Sequence, residues 1–159
     1  METVVVYDSK FGNTRKLAEI MAKAIETSGK VRVFGLETLL PEDLGNVDLL
    51  IVGGPTQSHG LSPRMRQFTD VLTATSANGA VAATFDTRYR MPEVVSGTAA
   101  KKIARRLKRK GIHVFQSPES FFVTRGGEPQ LETGADTAAA KNDGVRSGRP
   151  RRTDGDRRR

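Results

Sequence analysis

Ser9-Lys10-Phe11-Gly12-Asn13-Thr14 gathers hydroxyl, amide and ammonium groups around one glycine, at the point where the apolar run Val4-Val5-Val6-Tyr7 gives way to a helical pattern. The start of a helix presents N–H groups without intrahelical partners and a partial positive charge, so small polar residues there suit the binding of a phosphate. The same residues would equally make a plain polar turn capped by Asn13 or Thr14. The turn is not a Walker loop, which needs two glycines followed by Lys and Ser or Thr, nor a GxGxxG fingerprint, because it holds one glycine only.

The elements that would position these groups follow from spacing. Leu17, Ile20, Met21, Ala24 and Ile25 form one apolar stripe, which predicts a helix that Gly29 stops. Val31–Phe34 reads as a second strand, Pro41–Leu44 as one helical turn, and Val47–Val52 as a third strand buried on both faces. Ser62-Pro63 caps and starts a helix whose inner stripe is Met65, Phe68, Val71 and Leu72. Ala80–Phe85 is a fourth strand, and Ser96 opens a helix through Lys110 with Ala99, Ala100, Ile103, Ala104 and Leu107 inward. A fifth strand comes in two pieces, Ile112–Phe115 and Phe121–Val123. The alternation predicts an α/β fold: a doubly wound, five-stranded parallel sheet of order 2-1-3-4-5 with helices on both faces. Ligands of such sheets bind beyond the carboxyl ends of the strands, so the segments after strands 1, 3 and 4 should carry the chemistry.

Those segments are Ser9–Thr14, then Gly53-Gly54-Pro55-Thr56-Gln57-Ser58-His59-Gly60, then Asp86-Thr87-Arg88-Tyr89-Arg90. Each has a bland reading: a strand-ending turn for the glycines, an exposed loop histidine, a local ion pair for Asp86 or Arg88. Together they resemble the flavodoxin family. The first is similar to its phosphate loop, the second to the loop against one face of the isoalloxazine ring, and the third to its other ring-contacting loop. The resemblance spans roughly Thr3–Val123 and implies FMN as cofactor. The implied binding residues are Ser9, Lys10, Phe11, Gly12, Asn13 and Thr14 around the phosphate; Pro55, Thr56, Gln57, Ser58, His59 and Gly60 in the second loop; and Asp86, Thr87, Arg88 and Tyr89 in the third. Thr56, Gln57 and Asp86 would then bond the ring's polar edge, His59 and Tyr89 would stack on it, and Gly60 would be the flexible peptide near its N5 atom. The family commonly has a hydroxyl residue where this chain has Phe11, which removes one donor from the cradle.

Function follows as an implication of that resemblance: electron transfer between redox partner proteins through a non-covalently bound flavin. Two alternatives stand beside it. One is an FMN-dependent NAD(P)H:quinone-type reductase, the other a flavin-free interaction module working through a basic tail. The chain has 159 residues and no cysteine, so thiolate metal sites and cysteine nucleophiles are excluded. No His, Asp and Glu grouping has metal-ligand spacing.

Net charge is +8, but residues 144–159 hold seven arginines against two acids, which leaves +3 on residues 1–143. This divides the chain into a domain over 1–143, with a short or weak last helix in Leu131–Asn142, and a basic tail over 144–159 expected to be disordered. A weak last helix would uncover apolar sheet surface and favour a homodimer. The helix opened by Ser96 has a cationic outer face of Lys101, Lys102, Arg105, Arg106, Lys108, Arg109 and Lys110. It is either a solvated face or a docking patch for an acidic partner or nucleic acid; the tail has no interleaved aromatics, which argues against nucleic acid. No signal-peptide pattern opens the chain and no run is long enough to span a membrane, so a cytoplasmic location is expected.

Overall fold

Alternation along the first strand, β1 (Glu2–Tyr7), decides the layering. Val4 and Val6 belong to one core, Val5 and Tyr7 to another, and all four are buried. The computed structural model describes residues 1–57, 60–73, 76, 77, 79–135 and 138. Within it β2 (Lys30–Gly35), β1, β3 (Leu49–Pro55), β4 (Val81–Tyr89) and β5 (His113–Val114) lie side by side in that order, every pair parallel. This is the 2-1-3-4-5 order expected from the sequence. The two-piece fifth strand has a structural meaning: β5 pairs with Val81 and Ala82, whereas β6 (Glu119–Val123) pairs with Phe85–Tyr89 further along the same neighbour.

Helix α1 (Asn13–Ile25) lays Leu17, Ala18, Met21 and Ile25 on the face that carries Val5, Ile51, Phe85 and Phe121. Helices α2 (Pro63–Val71) and α4 (Ala99–Arg109) cover the other face, with Met65, Phe68, Ile103 and Leu107 packed on Val4, Val6, Leu50 and Val52. Each fully buried Leu or Ile of these stripes contributes about 1.5–3 kcal/mol. α2 begins as its sequence predicts: Pro63 is the first helical residue and Ser62 Oγ accepts from the Met65 N–H at 3.1 Å. Val71 departs from the inner stripe at 68% exposure, because the helix ends there and Leu72 takes the inward place.

Three local expectations are corrected. α1 is capped by Gly12, at φ 84°, rather than by the side chain of Asn13 or Thr14, both of which lie inside its first turn. The cap of α4 is Thr98, whose Oγ1 accepts from the Lys101 N–H at 3.3 Å; Ser96 instead closes a four-residue helix, α3 (Glu93–Ser96), and Gly97 at φ 66° separates the two. Strands β3 and β4 run on through Pro55 and Tyr89, past the predicted ends, because Gly53–Pro55 pair with Phe85–Thr87 and β6 supplies partners for the rest. The last helix expected over Leu131–Asn142 does not begin at Leu131, which instead bridges Val123, nor at Gly134, which turns at φ 88°; Ala135 is buried beside Phe121 and α1, and of the residues after it only 138 is described. Residues 144–159, and with them the predicted tail, lie outside the described residues. No helix among the described residues is long and apolar enough to cross a membrane.

Candidate functional site

Three strand ends converge. After β1 the chain is tied across the sheet by the Asp8 N–H, which donates to the Gly53 carbonyl at 3.0 Å, and it enters α1 through Gly12. A Cβ built on Gly12 meets nothing within 4 Å, so the left-handed turn opens onto free space in front of the helix start. N–H groups of a helix's first turn have no intrahelical acceptor. The Arg15 N–H is drawn back to Ser9 Oγ at 3.4 Å. The loop is pinned to β4 by a hydroxyl–hydroxyl bond of 2.9 Å between Thr14 and Thr87, both buried.

Ser9, Lys10, Phe11, Asn13 and Thr14 of the first segment line a single cleft of about 220 Å³. Pro55, Thr56 and Gln57 from β3, and Thr87, Arg88 and Tyr89 from β4, complete its walls. On the rim Phe11 is 50% exposed with the Lys10 ammonium 5.2 Å from its ring centre, and Tyr89 is 38% exposed with the Arg125 guanidinium 5.5 Å from its own. Ser58 and His59 lie outside the described residues.

Asp86 is not in the cleft. It is fully buried, and Oδ2 accepts from the Thr56 hydroxyl at 3.1 Å and from the Ala100 N–H at 3.0 Å. Thr56 Oγ1 in turn accepts from the Ala99 N–H at 2.9 Å. The carboxyl expected on a ligand's edge therefore holds Thr56 against the start of α4, and Thr56 alone reaches the cleft. Burial pushes the Asp86 carboxyl above its usual range, against the pull of the Ala100 N–H, the Thr56 hydroxyl and the nearby Arg88 charge. Oδ1 is buried without a hydrogen-bond partner among the described residues, and the nearby Ser120 hydroxyl pulls in the same downward direction.

Arg88 is likewise committed. Its Nε donates to Ser120 Oγ at 3.2 Å and its Nη1 to the Met91 carbonyl at 2.8 Å and Ser96 Oγ at 3.1 Å, while its guanidinium lies 4.9 Å from the Phe122 ring centre. Gly60 also departs from the cleft. Gln57 and Gly60 exchange two backbone hydrogen bonds of 3.0 and 2.7 Å, which close the turn and commit both the N–H and the carbonyl of Gly60, the expected flexible position. Gly60 faces Lys102, whose Nζ would lie 3.5 Å from a Cβ placed there.

Pro129 is a wall that sequence reasoning missed. After β6 the chain doubles back: the Thr124 N–H donates to the Gln130 carbonyl at 2.7 Å and the Glu132 N–H to the Phe122 carbonyl at 2.9 Å. The Pro129 carbonyl then accepts from Asn13 Nδ2 at 2.7 Å. Gly126-Gly127-Glu128-Pro129 has turn composition, but nothing local says that the turn returns to α1. Asn13→Ala should cost about 1 kcal/mol and raise amide exchange over residues 125–131. Unchanged exchange there would show that the bond does not hold the segment.

The cleft lies at the start of α1, with open space beside Gly12, and its walls carry an ammonium at one end and hydroxyl, amide and phenol groups further along. This set fits a ligand with an anionic tail and a flat polar ring. The chain matches the flavodoxin family over residues 5–143. It is 34% identical over 71 residues to a flavodoxin of Aquifex aeolicus (strain VF5), a match spanning 43% of this chain and only 38% of that relative's length. An archaeal flavodoxin superposes with a TM-score of 0.72 at 23% identity, covering 88% of this chain and 92% of its own. Flavodoxin 1 of Bacillus cereus does so with 0.71 at 20% identity, covering 93% and 99%. A match over most of the chain, on the sheet order and strand-end cleft described above, makes this protein a member of the flavodoxin family, with FMN as its cofactor.

Proposed function

We propose that this chain carries electrons between redox partner proteins through FMN held in the strand-end cleft. The observation behind this reading is that Ser9–Phe11 with Asn13 and Thr14, then residues 55–57 and 87–89, far apart in sequence, line the same 220 Å³ space. The N–H groups at the start of α1 bind the cofactor's phosphate, and the Lys10 ammonium compensates for the hydroxyl that Phe11 lacks. Thr56 and Gln57 bond the ring's polar edge, and Tyr89 stacks on it. Ser58, His59 and Gly60 complete the second loop. Asp86 acts from behind by fixing Thr56, while Thr87 and Arg88 stand in the wall itself, where Thr87 fixes Thr14 and Arg88 ties β4 to β6 and α3. FMN bound in this way supplies reversible one- and two-electron chemistry, and the protein supplies binding, orientation and field.

The reading includes a domain over 1–143 with a basic tail over 144–159, a cytoplasmic location, and pairing of two copies over sheet surface left by the weak last helix. Its test is the visible spectrum after incubation with FMN and desalting. Wild type should emerge with flavin bands, and Gly12→Val should retain the cofactor about tenfold more weakly, because its side chain occupies the phosphate's place on a backbone strained by about 1–2 kcal/mol. A colourless wild-type eluate would refute the reading. Rapid NADPH oxidation by the loaded protein alone would favour a reductase instead.

A further inference from the structure

We propose that the outer face of α4 is a docking surface for an acidic electron-transfer protein. This deepens the carrier reading and rests on it for the partner's redox nature. α4 turns Ile103, Ala104 and Leu107 inward and leaves Lys101, Arg105, Lys108 and Arg109 exposed. Between α2 and α4 lies a concavity of about 280 Å³ walled by Arg66, Lys102, Arg105, Arg106 and Arg109, with Gly60 and Leu61 also lining it. A second, of about 510 Å³, shares Arg105 and Arg109 and adds Lys101 and Lys108. The two make one cationic surface along the helix, about 16 Å long at 1.5 Å per residue. Among the described residues Asp70 takes Arg106 at 2.6 Å, and Glu93 takes Lys101. Arg105, Lys108 and Arg109 make no ion pair among the described residues.

The breadth of the surface decides the occupant. A lone phosphate is held by donors converging on one point, whereas these cations are spread along a helix. No aromatic side chain lines either concavity, so bases have no stacking platform. A protein face bearing several carboxylates meets spaced cations at many points. Position supplies the redox character, because the Gln57–Gly60 turn is a shared wall: Gln57 lines the cofactor cleft and Gly60 lines the basic concavity. A partner seated on α4 lies one tight turn from the flavin site.

The test titrates full-length protein, with and without FMN, with an acidic plant-type [2Fe–2S] ferredoxin by calorimetry at low and at high salt. Binding should be present at low salt in both forms and fall steeply as salt rises. R105E/R109E should weaken it about tenfold or more, whereas the charge-matched K23E/K30E, on exposed residues away from α4, should change it less than about twofold. R105Q/R109Q should fall between wild type and the reversal, which guards against a fold defect in the more drastic variant. Equal losses in the two charge-reversed variants would reduce the effect to net charge and overturn the proposal. So would absence of binding at low salt, or binding of a nucleic-acid duplex through Arg105 and Arg109 that ferredoxin cannot displace. Because the contact is read without flavin as well, loss of FMN binding would sink the carrier reading and leave docking standing. FMN retained without ferredoxin binding would do the reverse.

Discussion

Gly53→Ala is expected to lower stability by about 3 kcal/mol, which for a chain of this size corresponds to roughly 6–12 °C in Tm. Gly53 sits in the middle of the sheet opposite Phe85 in the β3–β4 register. A Cβ there would lie 2.1 Å from Phe85 Cζ and 2.2 Å from Cε1, well inside contact distance. The ring has nowhere to go: Phe85 is almost fully buried and is met edge-on by Phe121, with centroids 6.3 Å apart at 80°. An added methyl therefore forces backbone or ring displacement at the strand end that leads to Pro55, Thr56 and Gln57, so FMN retention should fall with stability. Gly54→Ala is the control, because its Cβ would rest 3.4 Å from the flexible end of Met65 and should cost less than about 1 kcal/mol. A Phe85→Leu change in the Gly53→Ala background should recover part of the loss, since the two residues share one space. Urea denaturation of the four proteins checks this, and equal costs at Gly53 and Gly54 would contradict it.

The Gly53–Phe85 contact also shows what was legible in the chain and what was not. Strands and helices were readable because their signal is local: Val4–Tyr7 is an unbroken apolar run, and Leu17, Met21 and Ile25 recur on one helix face. The strand ends were not. Gly53, Gly54 and Pro55 have the composition of a turn, yet they extend β3 because β4 lies beside them; Asp86–Tyr89 stay in β4 because β6, more than 30 residues on, supplies the second ladder. The three ligand segments were visible as polar interruptions at strand ends. Their division of labour depends on neighbours that no window of sequence contains. Thr56 faces the cleft because Asp86 is occupied by α4, and Asn13 is tied by Pro129. Ser96 and Thr98 are equally good caps by residue type, and the left-handed Gly97 between them decides which one starts α4.

Asp86 is where removal of one side chain should be felt furthest. Asp86→Ala leaves the Ala100 N–H and the Thr56 hydroxyl without their acceptor in a dry interior, at a cost of about 2–4 kcal/mol, and frees Thr56 to turn from the cleft. Asp86→Asn keeps one acceptor oxygen for both donors and should cost less. The pH dependence separates the carboxyl's charge from its bonds. Burial raises the Asp86 pKa in the folded chain above the ordinary 3.8, so the fold binds this proton more tightly than the unfolded chain does. The resulting stabilisation is fully present below the unfolded pKa and is lost as pH rises through the raised folded value. Asp86→Asn has no such proton, and the other carboxylates cancel in the comparison. The stability of wild type minus that of Asp86→Asn should therefore decline with rising pH across that window and be flat on either side. Urea melts of the two proteins from acid to neutral pH measure it. A difference that grew with pH would mean that the bonds from Ala100 and Thr56, with the Arg88 charge, outweigh desolvation and that the folded chain prefers the carboxylate.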